Sequence, residues 1–440
     1  MKKKLYLFYL LFITMLIVNT TLYVNANNNF DEFNDITFSM LAHEINEKFV
    51  SEFGHEFVQN HNRAVENAML LRHSFIQNRQ GQVMYPDYFG GMYIDESGNL
   101  VILILNMYER SMNVETFNYS LSEIIIMPAS FSYNELNALW RFLGTQTIEN
   151  ASSWHVDTIS NRVIVRLDYY NEENIDIFIN NIIDSPMIVF EQFINKEYYY
   201  ECFHYDRLIQ SKEIYDNSAH LIEPLNTFIT FQSGGQIMVR GRLYSIGYAA
   251  TDANGRSGFV TVAHGPQHSE RLQPGDNVYI RHANAWQRIG IVRQSRLQRT
   301  VDNSIVSPFR FNAAFVEIVP PHGFTVNFVP NQLLSGVRDP IVGEIVTIRG
   351  TNESGTLLTR QQRVTALNVT RTDLVPFVSI DATSTTPVVT GQNLVSGMSG
   401  GIVWFNSDLR NAGIIVSSCG LFCRAQLINN GVVGFNLTTP

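Results

Sequence analysis

From residue 226 onward the chain breaks into short apolar runs separated by Gly, Asn, Asp and Pro at roughly ten-residue spacing. Gly258-Phe259-Val260-Thr261-Val262, Asn277-Val278-Tyr279-Ile280, Ala314-Phe315-Val316-Glu317-Ile318 and Glu344-Ile345-Val346-Thr347-Ile348 are examples. A period of two predicts strands, and many short strands with turn residues between them predict an all-β sandwich or barrel. This half holds 22 of the 28 glycines and 10 of the 14 prolines, so its turns are written into its composition. At 440 residues the chain has room for about two or three domains and a core that needs neither metal nor disulfides.

The two halves also differ in charge. Residues 27–225 carry a net −18, residues 226–440 a net +6 with 17 Arg and no Lys. Oppositely charged surfaces attract, so the halves are expected to hold each other. The overall charge of −9 speaks against nucleic-acid binding.

Lys2, Lys3 and Lys4 precede an apolar run from Leu5 to Val18, followed by Val24-Asn25-Ala26. This is the three-part pattern of a secretory signal peptide cleaved near Ala26. The run is shorter than the ~20 apolar residues of a spanning helix, so residues 1–26 predict export without a stable membrane anchor. The three cysteines, Cys202, Cys419 and Cys423, are too few for a disulfide framework and lack zinc-site spacing. Cys419 and Cys423 are near enough to pair if the turn allows.

The acidic half begins helically, with Phe38, Leu41, Ile45, Phe49 and Phe53 at steps of three and four within residues 33–78. His43-Glu44 and His55-Glu56 start an H-E-x-x pattern, but Glu47 and Gln59 stand where the second zinc ligand is needed. They read as solvated helix residues, and no metal site is predicted. An internal repeat follows. Tyr93-Ile94-Asp95 with Asn99-Leu100-Val101-Ile102-Leu103 recurs 62 residues later as His155-Val156-Asp157 with Asn161-Arg162-Val163-Ile164-Val165. Each copy reads as strand–turn–strand, followed by helical patterns at 132–143 and 171–183. Residues 27–225 are therefore expected to form duplicated β-turn-β-α subdomains. Nothing in them resembles a catalytic constellation.

Two motifs in residues 226–440 carry chemistry. Gly258-Phe259-Val260-Thr261-Val262-Ala263-His264 puts an imidazole at the rim of a strand. Gly397-Met398-Ser399-Gly400-Gly401 puts a serine in a glycine-flanked turn, which can aim the N–H groups of Gly397 and Ser399 at one point as an oxyanion hole. A histidine in reach would take the serine's proton, because a free hydroxyl is a weak nucleophile. Gly-x-Ser-x-Gly also fits the nucleophile elbow of α/β-hydrolases, but there the histidine follows the serine, and here the last histidine is His322. Histidine before serine on a β-rich chain is the order of chymotrypsin-type proteases.

On these residues the C-terminal half resembles secreted bacterial serine proteases of the chymotrypsin superfamily, of the streptogrisin and alpha-lytic protease kind. Residues 258–264 are similar to that family's histidine strand, residues 397–401 to its G-D-S-G-G, and Phe311-Asn312-Ala313-Ala314-Phe315-Val316 to the strand carrying its aspartate. Gly91-Met92-Tyr93-Ile94-Asp95 with Asn99-Leu100-Val101 resembles its pro-region. The resemblance implies a chymotrypsin-like double barrel over 226–440 preceded by an α+β pro-region. It also implies catalytic His264 and Ser399, with Asn312 at the aspartate position, an oxyanion hole at Gly397 and Ser399, and a specificity pocket based on Asn393. A neutral Asn393 argues against a preference for Lys or Arg. Substrate is expected to add as an extra strand along roughly 413–418.

The departures are Asn312 for aspartate, with Asp302 as the nearby substitute, Met398 beside the serine, and Ser245 and Gly265 where relatives carry a disulfide. In trypsin-type chemistry the same Asp-to-Asn change lowers kcat by about 10⁴. The expected function is a secreted serine endopeptidase made as a zymogen. Its partners are protein or peptide substrates and its own acidic pro-region, and it needs no cofactor. The alternatives are a protease-fold protein that binds peptides or proteins without hydrolysing them, and a cell-surface structural protein without a site.

Overall fold

Strand pairing in the computed structural model builds two antiparallel sheets in the glycine-rich half, one curled and one closed into a ring. The structure describes residues 46–192 apart from 78–82, 106–123 and 149. It also describes 227–424 apart from 265–271, 283–284, 298–311, 320–323, 330–337, 339, 353, 372–373, 381–397 and 418–420. The signal-like residues 1–26, Cys202, Gly265, Asp302, Asn393, Gly397 and Cys419 lie outside the described residues.

In the acidic half, helix α1 (His55–Ser74) is followed by β1 (Phe89–Ile94), β2 (Leu100–Leu105) and β3 (Ile124–Ala129). Then come α2 (Tyr133–Leu143), β4 (Ala151–Asp157), β5 (Arg162–Leu167), α3 (Glu172–Asn181) and β6 (Ile188–Gln192). The helical signal does not run unbroken over 33–78: among the described residues, 46–53 are helical and Gly54, at φ 86, separates them from α1. A left-handed backbone suits glycine and ends a helix. His55 and Glu56 are exposed in the first turn of α1. Helix α2 starts at a capping box, in which Ser132 accepts from the Glu135 N–H and the Glu135 carboxylate accepts from the Ser132 N–H.

The repeated segments build sheets of one pattern. β1 pairs antiparallel with β2, and β2 parallel with β3. Likewise β4 pairs antiparallel with β5, and β5 parallel with β6. The two hairpin turns share a device. The Asp95 carboxylate accepts from the N–H groups of Ser97 (2.9 Å) and Asn99 (2.8 Å). The Asp157 carboxylate accepts from those of Ile159 (3.1 Å) and Ser160 (3.0 Å). Side-chain oxygens of Asp satisfy turn N–H groups in this way. The third, parallel strand of each sheet has no mark in the repeat. β2 is a continuous apolar run because both its faces are covered: Leu100, Ile102 and Ile104 join one core, Val101 and Leu103 another.

The glycine-rich half opens with β7 (Thr227–Gln232), which pairs in parallel with β15 (Phe324–Val329), outside both sheets. The first sheet uses β8 (Gln236–Val239), β9 (Arg242–Ser245), β10 (Ala249–Thr251), β11 (Ser257–Thr261), β12 (Asn277–His282), β13 (Ala285–Leu297) and β14 (Asn312–Ile318). Its sheet order is β10-β11-β14-β13-β12-β8-β9. The terminal strands β9 and β10 are consecutive in sequence. The stretch joining them bonds to Val260, Gly247 N–H to its carbonyl and Tyr248 O to its N–H, which continues the β10–β11 pairing up to the turn from β9. The second sheet uses β16 (Ile345–Thr351), β17 (Leu357–Arg371), β18 (Leu374–Ile380), β19 (Ile402–Phe405), β20 (Asn411–Ser417) and β21 (Leu421–Arg424). Its order is β16-β19-β20-β21-β18-β17, closed by β16–β17 pairing. Closure removes the free edges that an open sheet would expose. The curled seven-stranded sheet and the closed six-stranded ring, both antiparallel, make the chymotrypsin-like double barrel.

The acidic half is built onto the second barrel. β4 pairs antiparallel with β17, Leu367 opposite Val156 and Thr370 opposite Trp154, so β4-β5-β6 extends the barrel's sheet. At a second place Ile94 N–H donates to Val342 O at 2.8 Å. Of the ion pairs described, Arg363–Glu96 (3.5 Å) crosses this seam, and Glu96 is almost fully exposed. An exposed pair contributes ~0–1 kcal/mol. At the described contact, strand pairing and apolar packing therefore outweigh the charge split.

Candidate active site

β11 delivers His264. From Gly258 to Thr261 every residue is buried, Val262 and Ala263 after the strand are fully buried too, and the chain then reaches half-buried His264. β11 pairs antiparallel with β14 in the register Gly258↔Glu317 to Thr261↔Ala314. The pairing ends at Thr261↔Ala314, three residues before His264 and two after Asn312, the first residue of β14. His264 and Asn312 thus both lie at the same end of the β11–β14 pairing, His264 beyond the strand and Asn312 as the first residue of its neighbour.

Ser399 lies in a turn that enters β19, half-buried, beside the fully buried Met398. The turn is fixed by three backbone bonds. Gly400 N–H donates to Ile415 O (2.7 Å), Gly401 N–H to Met398 O (2.9 Å) and Ile415 N–H to Gly401 O (2.8 Å). Gly400 has φ 90 and no room for a side chain: a Cβ there would overlap Thr261 Oγ1 and Ser245 O. Gly401 is as tight, since a Cβ would overlap Arg349 O. The glycines of the motif therefore serve close backbone approach as well as turning.

The residue that Gly400 meets, Thr261, ends the strand leading to His264. The serine turn of one barrel and the histidine strand of the other are consequently in contact. Ser245 joins them. Its N–H donates to Ser399 O (2.8 Å), and its carbonyl accepts from Thr261 Oγ1 (2.9 Å). Its hydroxyl accepts from Thr351 N–H (2.9 Å) in the second barrel. Ser245 is fully buried. A buried polar group of this kind is tolerated because it is bonded. In sequence Ser245 stands out only as a missing disulfide. The signal that was available is a small polar residue among apolar ones, Leu243-Tyr244-Ser245-Ile246, in a strand.

β20 narrows the expected substrate-binding edge along 413–418, of which residue 418 lies outside the described residues. Ile402 and Val403 of β19 pair with Ile414 and Gly413, and on the other side Gly413, Ile414, Ile415 and Ser417 pair with β21. With the Gly400–Ile415 and Ile415–Gly401 bonds, both edges are used from Gly413 to Ile415, and an added strand has room only beyond Ile415. Cys423 lies in β21, with its possible partner Cys419 outside the described residues. No group of three or more His, Cys, Asp or Glu able to hold a metal ion occurs among the described residues.

With this geometry in place the comparisons divide along the chain. Residues 40–124 match the family model described as a Pro-like N-terminal domain, and residues 133–193 the model described as a Pro-like C-terminal domain. The chain is a Pro-like segment joined to a chymotrypsin-like double barrel. The gap between the two matches, residues 125–132, holds nearly all of β3 and ends where α2 begins. Among solved structures, Nocardiopsis protease is 20% identical, covering 48% of this chain and 99% of its own, with a TM-score of 0.31. Thermobifida fusca protease A is 18% identical, covering 48% and 98%, with a TM-score of 0.32. A glutamic acid specific serine protease is 18% identical, covering 48% and 100%, with a TM-score of 0.30. No curated protein matches the chain.

Proposed function

We propose that the chain is a secreted serine endopeptidase made as a zymogen, with the Pro-like segment as its pro-region. The observation that carries this reading is the contact of Gly400 with Thr261 and Ser245, which sets the Ser399 turn against the strand that ends in His264. In the proposed reaction His264 takes the Ser399 proton as Oγ attacks a peptide carbonyl. The carbonyl electron pair moves to oxygen, held by the N–H groups of Ser399 and Gly397. His264 then gives its proton to the leaving amine. Water, deprotonated by His264, splits the acyl-enzyme and regenerates Ser399. Asn312 would orient the imidazole through its amide oxygen without supplying charge. Asn393 would floor a neutral pocket. The Lys-rich, apolar N-terminus fits export, and among the described residues no helix is long and apolar enough to cross a membrane.

Asn312 supports a second reading, a protein of this fold that binds peptides without cleaving them. A fluorophosphonate separates the two. It should label Ser399 once the acidic half is removed by limited proteolysis. Failure to label Ser399 under any condition leaves the binding reading.

A further inference from the structure

The corner of the second barrel at residues 338–345 is held by the Pro-like N-terminal domain through a histidine. His61 of α1 is fully buried, and its Nε2 accepts a hydrogen bond from Ile345 N–H at 2.9 Å. Its Nδ1 carries the proton, facing Asn62 Oδ1 at 3.5 Å. The ring is enclosed by Phe49 and Phe57, with centroids 5.3 and 5.7 Å away. Beside this contact Arg72 donates to Pro340 O at 3.0 Å. Gly343 adopts φ 87, and a Cβ there would overlap Ile94 O.

We propose that His61 is a proton-operated latch on this docking surface. When neutral it holds the Pro-like N-terminal domain to the barrel corner, and when protonated it lets that surface open. The imidazolium has only N–H donors, so Nε2 would then point a proton at the Ile345 N–H. The charged groups around it offer too little relief to offset burial. Glu344 is buried and already taken: Arg338 reaches both its oxygens, at 2.5 and 3.0 Å, and Ile341 N–H donates to Oε2 at 3.1 Å. Arg338 also pairs with Asp408 at 2.6 Å. Arg363 of β17 faces His61 with a like charge. Burial pushes the imidazole down to about 4, with the Glu344 charge opposing and the two arginines assisting.

The sign follows from linkage. A pKa near 6.5 in the open state and about 4 in the closed state makes opening take up a proton between those values. The closed state is favoured above pH 6.5 and weakened as pH falls. At pH 5 the opening equilibrium should rise about 30-fold. The latch needs no chemistry at Ser399; its use in zymogen activation rests on the protease reading.

The test uses the full chain carrying Ser399→Ala, which removes self-cleavage under that reading. Hydrogen exchange of the peptide spanning residues 341–350 is compared at pH 7.5 and pH 5, corrected for intrinsic rates. Protection should fall on acidification in Ser399→Ala. It should change little in Ser399→Ala/His61→Gln, whose amide oxygen accepts at either pH. Equal losses in both chains, or none in the first, overturn the latch. Exchange of the His61 C2 proton in Ser399→Ala gives a check without a variant at His61. A midpoint near pH 4 supports the latch, and one near 6.5 refutes it. Failure of the protease reading would show separately, as a Ser399 never labelled by fluorophosphonate.

Discussion

Replacing Gly400 by Ala probes the meeting of the two barrels directly. Two costs arise. A non-glycine residue in the left-handed region costs about 1–2 kcal/mol. The added Cβ also collides with the backbone carbonyl of Ser245 and the hydroxyl of Thr261, neither a flexible side-chain end. Overpacking of this kind costs about 1–3 kcal/mol. Gly255 is the matched control: it has φ 75 with nothing within 4 Å of an added methyl, so Gly255→Ala carries the first cost alone. The difference between the two variants is then the inter-barrel contact. Thermal unfolding should place Gly400→Ala roughly 2–12 °C below Gly255→Ala, at about 2–4 °C per kcal/mol. Fluorophosphonate labelling of Ser399 should slow more than about tenfold in Gly400→Ala, because even an ångström of displacement costs about 10²-fold in a positioned reaction. If the two variants unfold together and label alike, the serine turn does not rest on the histidine strand and the proposed site is wrong.

Other outcomes follow from the same contacts. Asn161 is buried at φ 54. Its amide bonds Gly90 O (3.1 Å), Phe131 O (2.9 Å), Ser130 N–H (2.9 Å) and Phe131 N–H (2.8 Å). Asn161→Ala should cost about 2–4 kcal/mol in urea unfolding, since several buried groups lose partners at once. Asn312→Asp should raise the rate of Ser399 labelling by about 10² or more if Asn312 orients His264, given the effect of the reverse change in trypsin-type chemistry; an unchanged rate would remove Asn312 from the site.

The strands were legible where a two-residue period met a closed core. Residues 258–262, 277–280, 314–318 and 344–348 fall within or one residue beyond β11, β12, β14 and β16. The helices at 132–143 and 171–183 correspond to α2 and α3 because caps at Ser132 and Asn171 mark their starts. Periodicity states that a segment is a strand but not what lies beside it. The pairing of β4 with β17 joins residues some two hundred positions apart, and the third strands β3 and β6 complete sheets by parallel pairing, which leaves no turn signature. His61 and Ser245 escaped notice because each looks ordinary in sequence. Their roles come from a single distant backbone group, Ile345 N–H in one case and Ser399 O in the other. The spacing of Phe49 and Phe53 did foretell an apolar helix face, and His61, on α1 beyond the break at Gly54, packs on Phe49.

The measurement that bears most directly on the account is fluorophosphonate labelling of the proteolytically trimmed chain, read by mass spectrometry of the peptide containing residue 399. We expect one adduct on Ser399, absent in His264→Ala and in Ser399→Ala. An adduct that forms equally well without His264, or none in the intact double barrel, would contradict the pairing of His264 with Ser399.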